Sequence, residues 1–452
     1  PDSYGYLDFS IDRPIGYPAF LHLVRVLTGG YGSVPVVQRV LFGIAAFTLA
    51  AAVLLRTGNW LAAAVVELGI LGHPGPMRLA DTIISDSLSA SVIMLYAAAL
   101  WWYYYRPTTS RLTLLSVFMC LAMIVRPINL ALLPATALVV LLARRRSPLR
   151  WWTQALVPTV FLILSFVATP LSLQLIHGSA ATTSPLARAA IQKVMFGDFQ
   201  AQTDPERCHS EEIEAALAPV NAYLRDVPAE FQDILKYRFS QLIRFHVIIP
   251  GLRAEQPRLS EDQINAELMC FTLSRIKERP TLLVSQTLRE YWKTVSNYTF
   301  ITESERTAFL SFVEAHRPVM PAWNVGDGET RTASTEDLEL HFAAPASRSL
   351  PVLIALDAVQ LLAVALTLAL TLLAIGKVVD GNTDAADPWP IMGVFGVAAH
   401  AMLILTAAVE LAEARYLFPV WPLLWVPLVL AGFATLRWLV RLTLRKSATP
   451  PQ

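Results

Sequence analysis

Nine apolar runs constrain this chain more than any other feature. They lie at 34–55, 59–72, 84–105, 111–125, 128–143, 152–177, 350–375, 390–410 and 416–437. Several reach the ~20 residues a helix needs to cross a bilayer. Composition agrees: 54% of residues are hydrophobic and 16% charged, where a soluble chain carries about a quarter charged. The expected fold is an all-α polytopic membrane protein. The second, fourth and fifth runs are short, which points to tilt or shifted boundaries. No strong strand alternation and no internal repeat stands out. No signal peptide is visible, and the chain opens at Pro1 rather than Met, as a piece or a processed product would.

The net charge of +1 says little; the placement of charge says more. Lys and Arg gather in short cytoplasmic loops. Arg144, Arg145, Arg146 and Arg150 therefore place the fifth loop inside. Counting alternately, Arg56, Arg106, Arg111, Lys377 and the tail with Arg437, Arg441, Arg445 and Lys446 fall on that side too. The outer side receives residues 1–33, the 73–83 loop, Arg126, the 178–349 stretch and the 410–416 turn. The third run ends in Trp101-Trp102-Tyr103-Tyr104-Tyr105, an interfacial aromatic belt.

Three parts follow: an N-terminal membrane module (1–177), an extracytoplasmic domain (178–349) and a C-terminal membrane module (350–452). The middle part holds most acidic residues and reads as helical. Ser260-x-x-Gln263 and Thr302-x-x-Glu305 have the form of capping boxes, and Ile264, Leu268, Phe271 and Ile276 space as one helical face. Residues 327–349 read as a loop. Cys120 sits in an apolar run; Cys208 and Cys270 share the middle part and are able to pair if that side is oxidising. No zinc-type spacing occurs.

Charged residues recur at the predicted outer ends. They are Asp2, with Asp8 and Asp12 nearby; Arg13 in Asp12-Arg13-Pro14; Asp81 and Asp86 at the start of the third run; Arg126 in Arg126-Pro127; and Arg415 in Glu413-Ala414-Arg415-Tyr416. Such residues at a membrane boundary are costly and point to function. Together they suit group transfer from a lipid-linked phosphate. A carboxylate takes the acceptor's proton, and arginine forks bind the leaving phosphate. Each residue also has a plain role. Asp2 suits a solvated chain end, Asp86 an N-cap with Ser85 or Asp81 as rivals, and the arginines headgroup anchors. His22, His73, His246 and His400 are scattered and read as structural.

The ensemble resembles the GT-C superfamily of polyprenyl-phosphate-sugar-dependent glycosyltransferases, near the bacterial relatives of protein O-mannosyltransferases and of aminoarabinose lipid A transferase. The resemblance rests on Asp2-Ser3-x-x-Tyr6, Arg13-Pro14-Ile15-Gly16-Tyr17-Pro18, Ser85-Asp86-Ser87-Leu88, Arg126-Pro127 and Glu413-Ala414-Arg415-Tyr416-Leu417-Phe418-Pro419. It covers the membrane part; the 178–349 region matches no pattern. It implies a span upstream of Asp2 and a site on the outer face of a bacterial inner membrane. Asp2 would be the general base, with Asp86 assisting. Arg13, Arg415 and Arg126 would bind the donor phosphate, and Asp12, Asp81, Tyr17, Tyr416 and Glu413 would be accessory. The donor would be a polyprenyl-phosphate sugar and the acceptor a lipid, a glycan or a protein. Membrane lipid is an expected partner and nucleic acid is not. No cofactor is required, although paired outer carboxylates suit a divalent ion. The alternative is a transporter or flippase of lipid-linked glycans, which predicts charge at span centres or broken-helix repeats. A scaffold would lack the acid and arginine set.

Overall fold

The computed structural model describes residues 6–7, 14–73, 80–81, 83–177, 191, 193–194, 208, 210–227, 261–296, 311, 315, 322–325, 329–332, 350–380, 387–409 and 416–447. In chain order the helices are α1 (Gly16–Thr28), α2 (Val34–Thr57), α3 (Trp60–Leu71), α4 (Ser85–Tyr105), α5 (Thr109–Val125), α6 (Leu133–Ala143) and α7 (Trp151–His177). They continue with α8 (Ser210–Asp226), α9 (Glu261–Glu278), α10 (Pro280–Ser296), α11 (Leu350–Asp380), α12 (Trp389–Val409) and α13 (Trp421–Ser447). Each apolar run contains a helix; the fifth begins with a 3-10 segment, Pro127–Leu132, before α6, and the ninth with a turn over 416–420 before α13. Among the described residues five stretches, Tyr31–Thr57, Trp151–Ile176, Ala358–Asp380, Trp389–Val409 and Trp421–Arg441, are long and apolar enough to cross a membrane. The chain is a helical multi-pass membrane protein.

The chain divides into two compact units, one of residues 1–180, 357–405 and 413–452, the other of 181–356 and 406–412. In the first, α4 packs against α2, α5 and α6. It is as long as the spanning helices but less apolar, with Ser85, Ser87, Ser89, Ser91, Tyr96, Trp101, Tyr103 and Tyr104 all buried. Neighbouring helices take the place of lipid around it, so its side chains need not be greasy. By contrast α7 exposes Leu156, Val160, Ile163, Leu164, Val167 and Leu171, the surface expected of a helix on the lipid side.

Contacts fix the helix directions. Arg39 pairs with Asp81 at the start of α4, and Arg56 lies over Tyr105 at its end, so α2 and α4 run together. Arg126 reaches Asp86 while Arg111 bonds the Trp102 carbonyl, so α5 runs against them. The hydroxyl of Tyr96 meets the Leu132 carbonyl and Thr136 at 3.0 and 2.8 Å, and Arg146 lies over Tyr104, which returns α6 parallel to α4. Trp421 and Trp425 donate to Gly69 and Val65, so α13 opposes α3. One end of the unit thus gathers Asp81, Asp86 and Arg126. The other gathers Arg56, Arg111 and Arg146. Between α11 and α12 the backbones nearly touch: a Cβ on Gly393 would lie 2.2 Å from the Leu370 carbonyl oxygen, and one on Gly396 2.5 Å from that of Thr367.

In the second unit a disulfide joins Cys208 to Cys270. Arg275, nearly enclosed, pairs with Glu214, tying α9 to α8. Burial lowers the Arg275 pKa, with Glu278 opposing the shift. Ile264, Leu268 and Phe271 form a buried face on α9, with Ile276 half-buried. Two short strands, β1 (Ala322–Val325) and β2 (Glu329–Thr332), pair antiparallel, with Ala322 opposite Thr332 and Val325 opposite Glu329. They correct the expectation of no strands and of a plain loop over 327–349. Backbone pairing over four residues needs no long alternating pattern. Ser260 and Thr302, the first residues of the expected capping boxes, lie outside the described residues.

Candidate functional site

The polar residues concentrate where α4 begins. Asp86 is the second residue of that helix, where the helix dipole favours an anion. Its N-cap is Ile84, which makes no side-chain cap, so neither Asp86, Ser85 nor Asp81 fills the capping role considered for them. Arg126 is the C-cap of α5, where the dipole favours a cation. The two form an ion pair with side chains only 5% and 17% exposed. Asp81 turns instead to Arg39, an exposed pair. The carboxylates of Asp81 and Asp86 therefore engage different arginines. Among the described residues no group of three or more His, Cys, Asp or Glu is placed to hold a metal ion.

Three further patches come to this place. The Tyr416 ring lies 5.8 Å from the Arg126 guanidinium, at the outer range of a cation–π contact. The Tyr6 hydroxyl bonds Ser85 at 3.1 Å, and its ring meets that of Tyr17 edge-on at 4.9 Å. Tyr17 donates to Gln38 at 2.7 Å, and Gln38 donates to the Ala80 carbonyl at 3.0 Å. Burial pushes the Tyr17 pKa well above its usual range, and Tyr6 and Asp86 add to the shift. Tyr17 thus stays a neutral hydrogen-bond donor beside the carboxylate.

The position of Tyr17 is set by α1. Tyr17, Leu21 and Val24 form its buried stripe, while Leu23, Val26 and Leu27 are exposed. Gly29, in the left-handed region with φ 81°, ends the helix by donating to Arg25. Gly16 starts it against the end of α5, where a Cβ would lie 2.7 Å from the Ile124 carbonyl oxygen and 2.8 Å from the Val125 nitrogen. Both opposing atoms are backbone and cannot swing aside. Gly16→Ala is therefore expected to lower stability by about 1–3 kcal/mol, the usual cost of overpacking. Thermal melting in detergent checks this; an unchanged midpoint would show that α1 moves freely over α5.

A second polar layer lies just below. Asn129 donates to Ser89 at 3.0 Å and to the Ala122 carbonyl at 2.8 Å. Its own carbonyl oxygen, and the hydroxyl of Ser87, are enclosed without a hydrogen-bond partner among the described residues. Buried polar atoms are normally satisfied, so these mark unused bonding capacity beside Asp86.

Of the residues singled out from sequence, Asp86, Arg126, Tyr17 and Tyr416 converge, and Asp81 lies apart with Arg39. Asp2, Asp12, Arg13, Glu413 and Arg415 lie outside the described residues. Sequence reasoning passed over Gln38 and Asn129. Each is an amide within an apolar run, and the cost of burying such a group is the signal that marks it. Two histidines have structural settings: His73 meets Phe418 edge-on and Trp421 at a tilt, and His400 bonds Thr367 at 3.0 Å. No protein-family model matches this sequence, no curated protein matches it, and no solved structure matches it.

Proposed function

We propose that the chain is an integral membrane glycosyltransferase of the GT-C kind, moving a sugar from a polyprenyl-phosphate donor to an extracytoplasmic acceptor. The observation that carries this is the meeting of four sequence-remote patches, Tyr6 with Tyr17, Ser85 with Asp86, Arg126, and Tyr416, at one end of α4. The residues assigned the chemistry are close to them in the chain. Asp2 precedes Tyr6 by four residues, Arg13 precedes Tyr17 by four, and Arg415 adjoins Tyr416. Four residues of extended chain span at most about 14 Å.

In the proposed reaction the Asp2 carboxylate takes the proton of the acceptor hydroxyl. The hydroxyl oxygen attacks the anomeric carbon, the bond from that carbon to the phosphate oxygen breaks, and its electron pair leaves on the phosphate. One displacement inverts the configuration. Arg13 and Arg415 bind the departing phosphate, whose charge such forks neutralise. Asp86, held by Arg126, orients the acceptor. Arg126 thereby acts more through Asp86 than as a direct phosphate ligand. The scheme requires no metal, because arginines alone offset a monophosphate.

The Asp86 end is assigned to the outer face of a bacterial inner membrane. Arg56, Arg111 and Arg146 gather at the opposite end, as cytoplasmic loops require. A reporter fused near Glu329 is expected to report an extracytoplasmic position; a cytoplasmic signal would reverse the assignment. The reaction itself is tested by incubating the full-length protein in liposomes with a panel of polyprenyl-phosphate sugars. Release of polyprenyl phosphate with sugar on an acceptor is the expected result. Translocation of a lipid-linked glycan without bond cleavage would replace it with the transporter reading.

A further inference from the structure

We propose that the end of the membrane unit opposite Asp86 binds the phosphate of an anionic phospholipid, with an acyl chain in the groove beside Trp389. This site lies at the far end of α4, about 30 Å along a helix of 21 residues, and does not depend on the glycosyltransferase reading.

The first observation is charge. The guanidinium of Arg146 is enclosed, and the oxygen that faces it among the described residues is the hydroxyl of Tyr104 rather than a carboxylate. The group lies 4.5 Å from the Tyr104 ring centroid, and Arg56 lies 3.7 Å from that of Tyr105. Arg111 reaches the Trp102 carbonyl at 2.9 Å, and Lys377 lies 3.8 Å from Asp387. The Asp387 carboxylate is shared with the start of α12, where it accepts from the Trp389 N–H at 3.1 Å. Among the described residues of this group, Asp387 is the carboxylate within ion-pair distance, and the cation it reaches is Lys377. A cation enclosed without an anion is costly, and a phosphate offers the oxygens that a guanidinium fork binds best.

The second observation is apolar. An open groove of about 670 Å³ is lined by Leu366, Leu370 and Leu373 of α11, Trp389 of α12, and Ala431 and Trp438 of α13, among others. Trp389 lies two residues from Asp387, and Leu373 one helical turn from Lys377. The groove therefore starts beside the cations and runs along the spans. Charge at the helix ends leading into a greasy channel fits a phospholipid; free phosphate would use only the first part. Basic pockets between spans hold anionic headgroups in this way.

Native mass spectrometry of the full chain, loaded with phosphatidylglycerol or with phosphatidylcholine of the same acyl chains, tests the site. Wild type is expected to retain phosphatidylglycerol at least about fivefold better, the scale of one basic side chain at a lipid surface. Arg146→Gln and Arg56→Gln should each lose most of that preference. Arg56 is exposed, so its substitution tests the site even if Arg146→Gln fails to fold. Arg39→Gln, at the other end, should keep the preference. Equal retention of the two lipids, or a preference that survives both substitutions, would overturn the proposal. So would displacement of phosphatidylglycerol by millimolar inorganic phosphate, since that would make the ligand a soluble anion.

Discussion

Arg126→Ala is expected to be the most damaging single change in the membrane unit, costing about 3–5 kcal/mol, the scale for stripping one partner from a buried ion pair. The cause is the carboxylate left behind: Asp86 has a side chain 5% exposed, on a helix packed against α2, α5 and α6. Adding Asp86→Asn to the same variant removes that uncompensated charge and should recover much of the loss. Thermal melting of both variants and of Asp86→Asn alone completes the cycle. If the double variant is as unstable as Arg126→Ala, the cost lies in the lost arginine packing against Tyr416, and the ion pair is not what holds α4 to α5.

That pairing shows where sequence reading stops. Both charges were legible, because an Asp and an Arg beside apolar runs are conspicuous. Their contact was not, because it depends on how α4 and α5 align after the turn at Arg106–Thr108. The runs became helices because a bilayer leaves a single segment to satisfy its own backbone, and a list of apolar residues suffices to see that. α1 escaped notice for the opposite reason. Its buried residues are Tyr17, Pro18, Leu21 and Val24, interleaved with His22 and Arg25, and it is too short to span. The β1–β2 pair did leave a sign in Gly326-Asp327-Gly328, a turn-type sequence, although Glu329-Thr330-Arg331-Thr332 after it has no apolar residue to mark a strand. The site's amides, Gln38 and Asn129, were hidden by the apolarity of their neighbours. Their partners, Tyr17 and Ser89, come from other helices.

The other large effect concerns the proposed base. Asp2→Asn keeps the side chain's shape and removes its proton affinity, so turnover in the full-length protein should fall by ~10²-fold or more. Donor binding should survive. Arg13→Ala and Arg415→Ala should weaken donor binding as well as turnover, because a phosphate ligand acts before the bond breaks. Donor binding and turnover measured on the same three variants separate the roles. Full activity in Asp2→Asn would pass the base to Asp86 or Asp12, and Asp86 would first have to leave Arg126.

The two ends of α4 also limit how this protein can move. A slip of one helical turn, about 5.4 Å, would draw Asp86 past Arg126 and, in the same stroke, Tyr104 and Tyr105 past Arg146 and Arg56. Both latches would have to open at once, so α4 is the fixed post of the machine. α1 is tied to the same frame, by Gly16 against the backbone of α5 and by the hydrogen bond from Tyr17 to Gln38 of α2, while its outer side keeps Leu23, Val26 and Leu27 uncovered.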